Sequence, residues 1–220
     1  MLLQVNGDVC IVQDMITSNS RDTILSDTAE WIRQEGRRFG DLWIVIMFFP
    51  WRGFTHRIRP RDQSLGIVFA MLMVGLWAVI SLLMGTFSHP VIGGISWLSA
   101  LIWMSLLVIV VVPVAIHLLA AVATVILIIL APRRQGVSET VQVIAFATAP
   151  VPFLGIDLIG VQAVAALYGV GLMWYGMRVV HRMSLERALL VVALPAYILF
   201  AMGFDANVAI VELLRYWYII

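Results

Sequence analysis

Few side chains in this sequence could move a proton, hold a metal or attack an electrophile: one cysteine, four histidines and thirteen carboxylates spread over 220 residues. Cys10 has no second thiol and no histidine at metal-ligand spacing, so it reads as an ordinary free cysteine. None of the patterns HExxH, GxSxG, GxxxxGK(S/T) or GxGxxG occurs, which removes the usual metalloprotease, esterase, phosphate-loop and dinucleotide chemistries. The expectation is a protein that is not an enzyme and uses no cofactor or metal.

His117 stands apart, because it lies deep inside an apolar run, where an ionisable residue is a functional candidate by default. A proton relay needs an acid at similar depth, yet Glu139 and Asp157 both fall at the ends of apolar segments. Pro113, four residues earlier, frees a carbonyl to which a neutral imidazole can donate, and that structural role is the simpler account. The other chemistry-bearing group is basic. Arg133, Arg134, Arg178, His181, Arg182 and Arg187 could contact anionic headgroups or an acidic protein partner, although orienting the chain in a membrane already demands charge there. Net charge is only +1, so no global field favours nucleic acid.

Long apolar segments must position these residues. Apolar residues make up 62% of the chain and charged residues 12%, and mean hydropathy is +0.99, so a bilayer is the matching solvent. The segments are 66–84, 97–130, 140–156, 158–179 and 188–204, several of them near or above the roughly 20 residues a helix needs to cross the hydrocarbon core. Hydrocarbon cannot hydrogen-bond a bare backbone, so each is helical where it meets lipid. The stretch 97–130 is long enough to be one tilted or Pro113-kinked helix, or a hairpin of two short spans. Arginine placement selects the single helix. Eight arginines precede Gly66, two are Arg133 and Arg134, and three lie between Arg178 and Arg187; five spans put all of these on one side and Arg215 alone on the other. The positive-inside rule then puts the amino terminus in the cytoplasm and the carboxyl terminus outside the cell membrane.

Around a transmembrane domain at 65–204, the chain divides into a weakly ordered cytoplasmic segment 1–26, an amphipathic or interfacial pre-membrane segment 27–64 and a short outer tail 205–220. Five acids in the first 30 residues argue against a cleaved leader. Asp27 with Glu30 can cap a helix, and the run Leu42 to Trp51 followed by arginines suits a helix in the headgroup region or a linker packed on the bundle. Pro150 and Pro152 should bend or end the third segment early, Asp157 sits in a tight turn after it, and Ser184 is placed to cap the last span. Small residues at Ala145 and Ala149, Ala165 and Gly169, and Gly171 and Gly176 permit close helix approach inside one bundle or, as the sharper alternative, in a homo-oligomer. Trp97, Trp103, Trp174, Tyr175 and the tail's Tyr216, Trp217 and Tyr218 read as interfacial anchors. The expected fold class is all-α: a polytopic integral membrane protein, a bundle of five transmembrane helices with an amino-terminal interfacial amphipathic helix.

Three stretches carry a family likeness: SETVQVIAFATAP from Ser138 to Pro150, GMRVVHRMSLERALLVVALP from Gly176 to Pro195, and FFPWRGFTHRIRPRD from Phe48 to Asp62. Their order, a threonine-containing start, an aromatic-Ala-x-Ala-Pro-like helix, an arginine and histidine turn and a last helix with a central proline, resembles the Yip family of Ypt- or Rab-interacting membrane proteins, its prokaryotic members in particular. The likeness covers about residues 42 to 204; Phe146 stands where the family often has tyrosine, and residues 1 to 30 match nothing in it. The resemblance implies five spans, a cytoplasmic amino terminus and a non-enzymatic role. Eukaryotic relatives act in vesicle trafficking by binding prenylated small GTPases and coat-related proteins; prokaryotic relatives lack that pathway, so GTPase binding is not carried over. The functional expectation is a membrane scaffold or adaptor for protein partners or lipids. A small transporter or channel using the proline-broken spans and His117 is the alternative.

Overall fold

The structure, a computed structural model, describes residues 36–58, 60, 63–87, 96–131 and 134–217. The chain divides into two units, Met1–Trp43 and Ile44–Ile220. Of the first, the described residues 36–43 are helical. The cap expected at Asp27 and Glu30, the segment 1–26 with Cys10, Arg133 and Tyr218 lie outside the described residues.

All regular structure among the described residues is helical: α1 (36–48), α2 (Pro50–His56), α3 (Ser64–Leu83), α4 (Ser96–Leu130), α5 (Val137–Ala147), α6 (Val151–Leu154), α7 (Ile159–Val180), α8 (Leu185–Met202) and α9 (Ala206–Tyr216). Helices α3, α4, α7 and α8 are long and apolar enough to cross a membrane. Their exposed large side chains, among them Leu72, Leu76, Ile129, Val164 and Leu190, are the surface that hydrocarbon covers.

Helix α4 is a single helix of 35 residues, so the stretch 97–130 does not fold back. Pro113 has no N–H to give to the carbonyl four residues earlier, and the stretch just before it, Leu107–Val111, is π-helical, with the Val112 N–H bonded to the Leu107 carbonyl. A one-residue widening of this kind lets carbonyls beside a proline take donors from further along the chain. Helix α8 also holds a π-helical stretch, Tyr197–Met202, which follows Pro195. Helix α3 ends in a Schellman motif: the Thr86 N–H bonds the Ser81 carbonyl at 2.9 Å and the Gly85 N–H bonds that of Leu82 at 3.1 Å. Gly85 takes φ +73° there, a conformation glycine adopts without steric cost.

The segment expected as one span over 140–156 is instead α5, a turn at 148–150 and the four-residue α6. Pro150 and Pro152 remove two donors, and the neighbouring amides turn to tighter bonds: Ala149 N–H to the Phe146 carbonyl at 3.1 Å, Val151 N–H to Thr148 at 2.9 Å. The Thr148 hydroxyl donates to the Ala145 carbonyl at 2.6 Å. Broken backbone at membrane depth is tolerated only where protein surrounds it, and every residue from Glu139 to Pro152 is buried. The segment runs alongside α3. Gly66 lies against Gln142 and Ala145, and Gly155 against the Trp77 carbonyl and Ser81, so α5 and α6 together cover about 22 Å of depth, taking 1.5 Å per residue along α3.

Around it, Phe69 meets Phe146 edge to face at 5.5 Å, and Val143, Ile144, Met173 and Met177 are fully buried. Apolar contact alone drives little association in lipid, so such close packing is what stabilises the bundle. Residues 44–56 pack on α7: the Tyr168 hydroxyl donates to the Met47 carbonyl, and buried Phe54 sits between Phe146 and Tyr175 at ring distances of 6.5 and 6.3 Å. The tail after α8 contains α9.

Candidate functional site

The functional geometry collects at one end of the bundle, where α4 and α7 finish and α5 and α8 begin. Its centre is His181, directly after α7 and 1% exposed. The backbone N–H of Gln135 donates to His181 Nδ1 at 3.2 Å. That nitrogen is therefore the acceptor, and the proton of the neutral ring sits on Nε2, which lies 3.2 Å from Thr140 Oγ1. Thr140 in turn donates to the Gly136 carbonyl at 3.3 Å. Desolvation, and then the positive charge of Arg134, push the His181 pKa down to about 4. The imidazole thus ties the start of α5 to the end of α7. Sequence alone placed His181 among headgroup or partner contacts; in the structure it is buried with both nitrogens occupied.

The arginines around it are exposed. Arg178 is in the last turn of α7 and its carbonyl accepts the Met183 N–H at 3.2 Å. Between them Arg182 has φ 51°, the left-handed position of a Schellman motif that glycine normally fills and that costs another L-residue roughly 1 kcal/mol. Arg134 precedes the residue bonded to His181. Arg187 Nη1 donates to the Leu130 carbonyl at 3.4 Å, joining α8 to the last turn of α4. The Trp174 indole donates to the Leu185 carbonyl at 3.0 Å and closes the α7–α8 turn. Among the described residues none of these four guanidinium groups has a carboxylate within salt-bridge distance. The pair that does form, Arg215–Glu212 at 3.1 Å, lies in α9, whose last turns adjoin Ile159 and Gly160 at the opposite end of α7.

The remaining sequence candidates are scattered. His117 Nδ1 lies 2.6 Å from the Pro113 carbonyl, so it is the donor, and Nε2 accepts from Gln63 Nε2 at 3.3 Å. The imidazole is exposed, level with the start of α3 and not in the bundle interior. Asp157 occupies an exposed bend and makes no side-chain hydrogen bond among the described residues. Ser184 holds the N-cap position of α8 without a side-chain cap. A side chain at Gly169 would run into the Phe200 ring, whereas Gly171 faces open space, so only the first serves packing within the chain. Pro150 and Pro152 shape the buried break described above.

Sequence reasoning missed Gln135, Gln63 and Tyr168 as partners, and Thr140 as the residue facing His181. Forty-one positions separate Thr140 from His181, and no local pattern marks such a pairing. Among the described residues no group of three or more His, Cys, Asp or Glu side chains could hold a metal. The site's chemistry is that of exposed, permanently charged cations, guanidinium groups of a shape that can take carboxylate or phosphate oxygens two at a time.

A family model described as the Yip1 domain matches residues 44–204. No curated protein and no solved structure matches the chain.

Proposed function

Because the chain belongs to the Yip1 domain family, we propose that this multi-pass membrane protein is a non-enzymatic scaffold or adaptor that gathers protein partners or lipids at the arginine end of its bundle. The observation that carries the proposal is the convergence there of Arg134, Arg178 and Arg182, free of carboxylate partners among the described residues, on a frame fixed by His181. A fixed frame displaying cations is suited to binding. The bundle interior beside it is filled by Phe69, Phe146, Met173 and Met177.

The topology proposed with it has five traverses, the four long helices and the α5–α6 segment, with the amino terminus in the cytoplasm and the carboxyl terminus outside. Clustering of arginine at one end supports that orientation through the positive-inside rule. The transport alternative gains nothing from His117, whose two nitrogens are taken by Pro113 and Gln63 on an exposed face. A photocrosslinking amino acid at position 134 or 182 in native membranes should capture a discrete protein or lipid neighbour, while the same probe at Val164 captures only bulk lipid. Solute or proton flux through liposomes bearing the purified chain would overturn the scaffold reading.

A further inference from the structure

We infer that the arginine end of the bundle binds the phosphate-bearing headgroup of an anionic phospholipid, an inference that rests on the scaffold reading and names one ligand for it.

Three connections converge to build the site. The Gln135–His181–Thr140 bonds bring Arg134 to the end of α7, which carries Arg178 and Arg182. The Arg187–Leu130 bond draws the first turn of α8 to the same place. No carboxylate of the described residues lies within salt-bridge distance of these four guanidinium groups, which outnumber Glu139 and Glu186 at this end, and the field of Arg134 is felt as far as the buried imidazole, whose protonation it disfavours. Arg182 adds a conformational argument. It holds a left-handed backbone position that glycine would fill without strain, and strain of this kind is enriched at functional sites.

The surroundings select a lipid over a free anion or an acidic protein. The arginines stand where apolar helices end, the level at which headgroups lie, and Trp174 is held there by its indole bond to Leu185. Immediately beside Arg187, Leu185, Leu189 and Leu190 are 48%, 53% and 60% exposed. Cations edged by outward-facing leucines match a ligand with a charged phosphate and an acyl chain. Guanidinium is the group best suited to the phosphate.

The test is native mass spectrometry of the full chain released from nanodiscs of phosphatidylcholine containing phosphatidylglycerol. The wild type should retain phosphatidylglycerol in preference to phosphatidylcholine. Arg134→Gln and Arg182→Gly should each lower that preference roughly fivefold, the value of one basic residue at a membrane surface. Arg182→Gly is the decisive variant: relief of the left-handed strain should leave its thermal stability at or above wild type while the lipid preference falls. Equal retention of the two lipids by the wild type, or an undiminished preference in Arg182→Gly, overturns the inference. So does full displacement of lipid by millimolar inorganic phosphate or by an acidic peptide, which would assign the site to a free anion or a protein. A captured protein neighbour without lipid preference would sink this inference and leave the scaffold reading intact. Lipid preference together with solute flux would do the reverse.

Discussion

The wild-type chain should lose stability in one step as pH falls from neutral to about pH 4, and His181→Gln should abolish that step. In the folded chain the imidazole accepts from Gln135 N–H and faces Thr140 with its other nitrogen. A second ring proton would set two donors against each other in a buried place already under the field of Arg134. The folded pKa is therefore held at about 4 from an ordinary 6.5. Above pH 6.5 both folded and unfolded chains carry a neutral ring, and this group leaves stability level. As pH falls below that, the unfolded chain takes up a proton that the folded chain refuses, so stability declines until the folded ring also protonates. The whole decline amounts to about 3 kcal/mol at 1.36 kcal/mol per pKa unit. Glutamine does not titrate and recovers at most part of the network, so the variant should start roughly 1–3 kcal/mol less stable at pH 7.5 and lose this step. Thermal unfolding in neutral detergent, followed by tryptophan fluorescence from pH 7.5 to 4.5, measures both; the difference between the two curves removes the contribution of every other titrating group. Parallel curves, or a variant as stable as wild type at pH 7.5, would refute the reasoning.

Gly169→Leu should destabilise the bundle by roughly 1–3 kcal/mol through collision with the Phe200 ring, with partial recovery in the double variant carrying Phe200→Ala, read by detergent melting. Tyr168→Phe should cost about 1 kcal/mol or less by removing the bond to the Met47 carbonyl, and should loosen residues 44–56 to hydrogen exchange before any other element. A membrane-impermeant thiol reagent on intact cells should leave Cys10 unlabelled, and should label a cysteine placed at Asp157 in a Cys10→Ser background; the opposite pattern inverts the proposed orientation.

The long helices were legible because hydrocarbon imposes one rule on every residue it touches, and the apolar runs at 66–84, 97–130 and 158–179 obey it openly. Arginine placement also told that 97–130 is one helix, since a hairpin would have scattered the basic connections over both faces. The third segment obeys a different rule. Shielded from lipid, residues 139–152 could break at Pro150 while remaining as apolar as a true span, and composition does not distinguish apolar residues facing lipid from apolar residues facing protein. At the candidate site the charges were legible and their scaffold was not. Arg134, Arg178, Arg182 and Arg187 are visible as charges flanking spans, whereas the tie between His181 and Thr140 depends on three-dimensional packing. For the same reason His181 resembled a surface cation in the sequence and is a buried neutral ring in the fold. His117 shows the converse: its place within a long apolar run implied depth, but α4 is much longer than its neighbours, so the middle of that run lies level with Gln63 at the start of α3.

The sheltered break has a bearing on biogenesis. An eleven-residue helix, a proline-interrupted turn and one further coil of four residues make each regular run too short to cross the hydrocarbon core by itself. On the proposed five-traverse topology it should enter the bilayer as a pair with α7, between helices already installed. A glycosylation reporter fused after Ile156 should therefore show mixed topology, resolving to one orientation only when the fusion point moves beyond Val180.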